Sequence, residues 1–163
     1  MKKQSRILII VNLVILLGYF NWSVFKKEQT LEEGQLVLLE LAPVDPRSLM
    51  QGDYMRLNYA EVGKDSIVEN SPERGYAVLR IGSNHVGQII RLQKSAKPLH
   101  ENEFIIKYKT ANGRVSLGAE SFFFEEGQDS IYDQALYGGL KVDDKGESIL
   151  IGLYNDRLQL IQP

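Results

Sequence analysis

A chain of 163 residues that is 44% hydrophobic and 25% charged is too apolar to stay disordered, and its length suits one domain plus an appendage. A net charge of −2 offers nothing to attract a polyanion, so no nucleic-acid partner is expected. The lack of cysteine excludes disulfides, thiol nucleophiles, thiolate zinc sites and an acylated lipoprotein anchor, and leaves the redox compartment open.

Residues 1–6 are basic, with Lys2, Lys3 and Arg6, and residues 7–25 then carry no charge. At 1.5 Å per residue that run is about 28 Å long, close to the hydrocarbon thickness of a bilayer. Gly18-Tyr19-Phe20-Asn21-Trp22 lacks the small-x-small pattern of a cleavage site, so a retained anchor is expected rather than a signal peptide. Tyr19 and Trp22 stand where an interfacial aromatic belt would lie. A buried core helix is the alternative, disfavoured by the length and the basic flank. The charges ahead of the run outweigh Lys26 and Lys27 behind it. The expected topology therefore has a cytoplasmic N-terminus and an extracytoplasmic domain, on the periplasmic or cell-surface side. Residues 26–34 read as a juxtamembrane linker and residues 35–163 as the domain.

Short alternating segments follow. Gln35 to Leu41 reads as a strand buried on both faces, ended by Pro43 and Pro46, which cannot donate to a ladder. Tyr54 to Ala60 sets Tyr, Arg and Asn against Met, Leu and Tyr, a half-buried strand. Asp65 to Arg74 is a polar loop. Tyr76 to Ile81, Val86 to Leu92 and Phe104 to Tyr108 predict further strands, and Asn112-Gly113 predicts a type I′ hairpin. Ser121 to Phe124 is an aromatic strand, and Asp129 to Leu136 has room for a helical turn or two. Asp143-Asp144-Lys145-Gly146 turns a last hairpin into Ser148 to Tyr154, and Arg157 to Ile161 ends the chain. The class is mainly β: one transmembrane helix, then a compact antiparallel domain, either a barrel or a rolled sheet.

Chemistry-bearing residues are sparse. His85 and His100 lie in separate polar turns with no partner at ligand spacing, so no metal site is expected, and no cofactor. Glu125, Glu126, Asp129 and Asp133 form the densest acidic cluster but lack the Asp/Asn-Gly loop of calcium binders. Asp45, Asp53, Glu120 and Glu126 are candidate acid–base carboxylates; Asp53 at a strand entrance can equally accept from nearby backbone amides. The aromatics Tyr54, Tyr59 and Phe122 to Phe124, without interleaved basic residues, suit core packing better than base stacking.

The richest stretch runs from Asp45 to Tyr59. Within it Gly52-Asp53-Tyr54, Leu57 and Tyr59 fill every position of the pattern that defines the GDYXXLXY family, which the chain therefore resembles. That family is named for its pattern and for no activity. The resemblance implies a membrane-anchored protein that accompanies a polytopic membrane protein.

A second, more diffuse resemblance is to type I signal peptidases, which also follow a membrane helix with an extracytoplasmic β domain. Arg47 to Tyr54 is similar to the stretch that continues their serine box, Arg74 to Leu79 to their Arg-Gly-Asp strand, and Ile89 to Leu92 to their lysine segment. Their late aromatic and Gly-Asp-Asn run resembles Phe122 to Gly138. In that register the nucleophile's position holds Val44 and the base's position holds Ile90, and neither side chain can do that chemistry. The resemblance thus implies the fold without the Ser-Lys pair.

Three expectations follow. The first is a non-enzymatic accessory module, anchored in the bilayer through residues 7–25, that binds another membrane protein. Asp45, Arg47, Asp53, Tyr54, Arg56 and Tyr59 would line the entrance of its binding groove, with Glu126 as a further candidate. The second is a divergent hydrolase using Asp53, Glu120 and Glu126, or a displaced pair such as Ser48 and Lys94. The third is an assembly role through the strand around Phe122 to Phe124.

Overall fold

In a computed structural model, the structure describes residues 3–42, 54–63, 72–111, 114–125 and 127–163. It opens with α1, Lys3–Glu33, a single helix of 31 residues whose apolar side chains from Ile7 to Phe25 are largely exposed. This is the one helix among the described residues long and apolar enough to cross a membrane. Asn21 is accommodated because its side-chain amide donates to the Leu17 carbonyl one turn back.

Segment 26–34, expected as a linker, continues the helix as far as Glu33. Lys26, Lys27, Glu28, Gln29, Glu32 and Glu33 are good helix formers, and a polar sequence does not end a helix that its propensities sustain. Gly34 is the stop. A Cβ there would sit 2.3 Å from the Thr30 carbonyl oxygen, whose partner is the Gly34 N–H. Strand β1, Gln35–Glu40, starts at the next residue. Thr30 is buried at this joint, and Lys141 Nζ donates to the Gly34 carbonyl at 2.9 Å.

The domain is built from small antiparallel sheets rolled round one core. β1 pairs with β8, Tyr137–Val142, which pairs with β9, Ser148–Tyr154. A short ribbon joins β2, Tyr54–Arg56, to β7, Ser121–Phe123. The third sheet has the order β4, Gly87–Gln93; β3, Arg74–Ile81; β5, Glu103–Ala111; β6, Arg114–Ser116. A 3-10 turn at Ala60–Gly63 and α2, Asp129–Tyr132, fill the corners. Val37, Leu39, Leu57, Leu79, Ile106, Leu140 and Leu153 meet in the centre, so every sheet presents a face to the same core.

Most predicted strands fall within a residue or two of the observed ones. The strand predicted as Phe104 to Tyr108 runs three residues further, to Ala111, and the ladder of Tyr54 to Ala60 ends at Arg56, after which Tyr59 bridges to Leu41 of the β1 segment. Ala111 pairs with Arg114, as a two-residue hairpin requires, although Asn112 and Gly113 lie outside the described residues. The Asp143 turn forms as read. The Asp143 carboxylate accepts from the Lys145 and Glu147 amides, and Gly146 takes a φ of 78°.

β4 and β5 flank β3 on opposite sides and both run antiparallel to it, so residues 94–102 must cross β3. Ala77 and Leu79 face the core, which puts Arg74, Tyr76, Val78 and Arg80 on the outer face by alternation. Val78 and its partner Ile105 are nevertheless buried, on the face where Arg91 ties down the strap formed by residues 94–102. Arg91, opposite Val78, donates to both carboxylate oxygens of Glu103 at 2.7 Å and to the Pro98 carbonyl. Gln93 donates to the Ser95 carbonyl.

This fork holds the strap down and holds the Glu103 carboxyl at about 2, first through the Arg91 hydrogen bonds and then through the His100 amide. A carboxyl depressed below its unfolded value of roughly 4.3 adds stability above that value and loses it as the pH falls through the folded one. In full-length protein the thermal midpoint is expected to drop between about pH 4.3 and about pH 2. Glu103→Gln should start lower and decline less over that window. Parallel declines in the two proteins would show that the fork contributes nothing.

Candidate functional site

The segment of greatest interest enters the described structure at Tyr54, whose backbone opens β2 opposite Phe123. From there side chains alternate: Met55, Leu57 and Tyr59 point into the core, while Arg56 and Asn58 are exposed. Leu57 is fully buried, and its N–H donates to the Glu120 carbonyl at 2.8 Å.

Tyr59 is 5% exposed, and its hydroxyl donates to the Ala119 carbonyl at 2.6 Å. Its ring lies against Gly138, where a Cβ would approach a ring carbon to 3.0 Å. Burial, reinforced by the nearby Glu120 carboxylate, pushes the Tyr59 phenol well above the ordinary tyrosine range. Tyr59 is thus a permanently neutral donor packed in the core, not a surface contact.

Glu120 is half-buried and already occupied. Its carboxylate accepts from the Leu117 and Gly118 amides and from the Ser116 hydroxyl. Gly118 holds a φ of 79° in that loop, a conformation that glycine supplies without strain. The carboxylate therefore shapes the turn that carries Ala119 to Tyr59. Behind β7, Phe122 meets Tyr132 edge-on at 4.9 Å between ring centroids, and Phe124 lies 5.5 Å from the same ring.

Among the expected binding residues, Arg56, the last residue of β2, is exposed and Tyr59 is buried. Asp45, Arg47, Asp53 and Glu126 lie outside the described residues, as do Ser48 and Val44. Ile90, at the position of the peptidase base, is the extra residue of a β-bulge: Leu79 pairs with Ile89 and Val78 with Arg91. Lys94 follows β4 and is exposed. His85 and His100 are exposed in turns, and no group of three or more potential metal ligands converges among the described residues.

One feature went unread in the sequence. Arg74 stands directly opposite Lys109 in the ladder, with Lys107 and Arg114 on the same outer face. Arg74, Lys94, Lys107 and Lys109 line a shallow pocket of about 570 Å³ whose one carboxylate, Glu147, is paired with Lys107. Strand alternation, once register is known, collects these cations. In sequence they look evenly scattered.

The geometry separates structural from surface roles. Tyr59→Phe leaves the Ala119 carbonyl without its donor and should destabilise the protein by roughly 1–2 kcal/mol. Gly138→Ala drives a methyl against the same ring and should lose roughly 1–3 kcal/mol. Arg56→Glu, at an exposed position, should change stability by less than about 0.5 kcal/mol. Thermal unfolding of the three full-length variants checks this ranking.

No curated protein and no solved structure matches this chain. The family model described as GDYXXLXY protein matches residues 16–153, from within the apolar helix to the penultimate residue of β9. Since that span includes most of the helix and nearly the whole domain, the chain belongs to the GDYXXLXY family.

Proposed function

We propose that this protein is a non-enzymatic accessory module, held in the membrane by α1, with its β domain on the extracytoplasmic side. Its partner is a polytopic membrane protein recognised through the segment from Asp45 to Arg56. The carrying observation is the exposure of the whole apolar run of α1 together with its fusion to the domain through one residue. An apolar helix of that length needs a lipid or protein surrounding. The basic flank at Lys2, Lys3 and Arg6 supports a cytoplasmic N-terminus. Tyr19 and Trp22 pack 6.4 Å apart, and Lys26 Nζ lies 4.0 Å from the Trp22 ring centroid. That grouping suits the boundary between apolar and charged layers.

The Glu120 carboxylate is engaged by two amides and a hydroxyl of its own turn, which supports a structural role for it. Arg56 is exposed on the ribbon, where a partner can reach it.

Native purification of the full-length protein from gently solubilised membranes, followed by mass spectrometry, tests this reading. A stoichiometric polytopic partner is expected, and the double variant Arg47→Glu, Asp53→Lys should release it while leaving thermal unfolding unchanged. A lone, monodisperse protein, or a partner retained by the double variant, would overturn the assignment.

A further inference from the structure

The net charge of −2 conceals a local excess of the opposite sign on the outer face of the four-stranded sheet. Arg74 and Lys109 are direct ladder partners, Tyr76 pairs with Lys107 two residues on, and Ser116 pairs with Lys109 from the other side. Alternation turns these side chains outward, since Ala77, Leu79, Ile106, Tyr108 and Val115 belong to the core. Directly opposed residues on one face have Cβ atoms about 5 Å apart, where like charges repel. Lys94 reaches the same place from the end of β4, because Gln93 is the ladder partner of Tyr76.

A lysine on a sheet surface is ordinary and says only that the strand is solvated. Here the charges are gathered in a concavity and left uncompensated. Arg74, Lys94 and Lys109 share the pocket of about 570 Å³ with Tyr76, and Glu147, the one carboxylate in its lining, is committed to Lys107. The ion pairs among the described residues are that one and Arg91–Glu103, so none reaches Arg74, Lys94 or Lys109. Folding thus brings these cations together against their mutual repulsion, and no described carboxylate offsets it. Gly75, Gly118 and Gly146 add no side chains to the lining, which leaves the cations reachable from solvent. A local rule broken without an internal compensation is expected where a ligand supplies the missing charge.

We infer that this pocket binds a phosphoryl group of two or more negative charges, held by the Arg74 guanidinium and the Lys94 and Lys109 ammonium groups, with the Tyr76 phenol as a neutral donor. Charge selects the ligand. Cations at Arg74, Lys94 and Lys109 exceed what a single carboxylate can neutralise, and they match a phosphate monoester, which is close to dianionic at neutral pH, or a diphosphate. The planar fork of Arg74 suits two phosphate oxygens at once, and the lysines act as point charges beside it. The inference does not depend on the reading of α1 or of its partner.

Full-length protein in nanodiscs of zwitterionic phospholipid would be titrated with inorganic pyrophosphate and followed by thermal unfolding. A saturable rise in the midpoint is expected, since a ligand that binds only the folded state stabilises it. Arg74→Gln and Lys109→Gln should each weaken the apparent affinity by about tenfold through loss of a charge-assisted hydrogen bond. Arg157→Gln, at an exposed position outside the pocket, should leave it unchanged. Without ligand, Lys109→Gln should raise the midpoint at low ionic strength by relieving Arg74. If it lowers the midpoint instead, Lys94→Gln, which lies outside the strands, carries the same affinity test. Nanodiscs containing phosphatidic acid identify the source. A midpoint already raised there, and lowered again by Arg74→Gln, would make the ligand a lipid headgroup; a rise only with pyrophosphate would make it a soluble phosphate. Absence of any rise in zwitterionic nanodiscs, a rise matched by sodium chloride at equal ionic strength, or one affinity shared by wild type and all variants would overturn the inference.

Discussion

The Tyr59 hydroxyl bond to the Ala119 carbonyl is the contact through which the separate sheets become one body. Tyr59 bridges Leu41 just beyond β1, lies on Gly138 of β8, and draws in the loop between β6 and β7. Leu57, one alternation earlier, carries the same loop through its amide bond to Glu120. Neither small sheet has a sufficient core alone, and a two-stranded ribbon such as β2–β7 is marginal in water without packing. Glycines make the approach possible. Gly138 and Gly139 clear the backbone of β8 so that the rings of Tyr59 and Tyr154 can lie against it.

This gives part of the family pattern a physical meaning. Its leucine and second tyrosine, Leu57 and Tyr59, are inward positions two residues apart on one extended segment, both spent on the interior. The pattern is therefore in part a signature of architecture, the seam where the β2 segment is sewn to the rest. Surface chemistry at this segment falls to the alternate positions, Arg56 and Asn58 among the described residues. Packing takes one face of the stretch and leaves Arg56 and Asn58 on the other to solvent.

The alternation that predicted strands was legible because one face of nearly every strand is in the core. It even grouped Tyr59 with Met55 and Leu57, although a tyrosine's hydroxyl also invites a reading as a binding group. Four things were not legible. The helix was ended at Phe25 because apolarity ends there, whereas the helix itself ends where Gly34 meets crowding from Thr30. The bulge at Ile90 cannot be seen without its partner strand. The crossing of β3 by residues 94–102 is a matter of strand order, and alternation within a strand says nothing about which strand lies beside it. The opposed Arg74 and Lys109 were hidden for the same reason, since like charges meet only after register is set.

The joint at Gly34 has a mechanical consequence. A helix that passes into a strand through one buried residue, clamped by Lys141, has no hinge. Helices in bilayers tilt by about 20° on average as thickness and neighbours change. Through a stiff joint, a swing of that size carries the far edge of a domain roughly 30 Å across through about 10 Å. A rotation of the helix is in this way passed to the domain as a larger displacement at the domain's far edge.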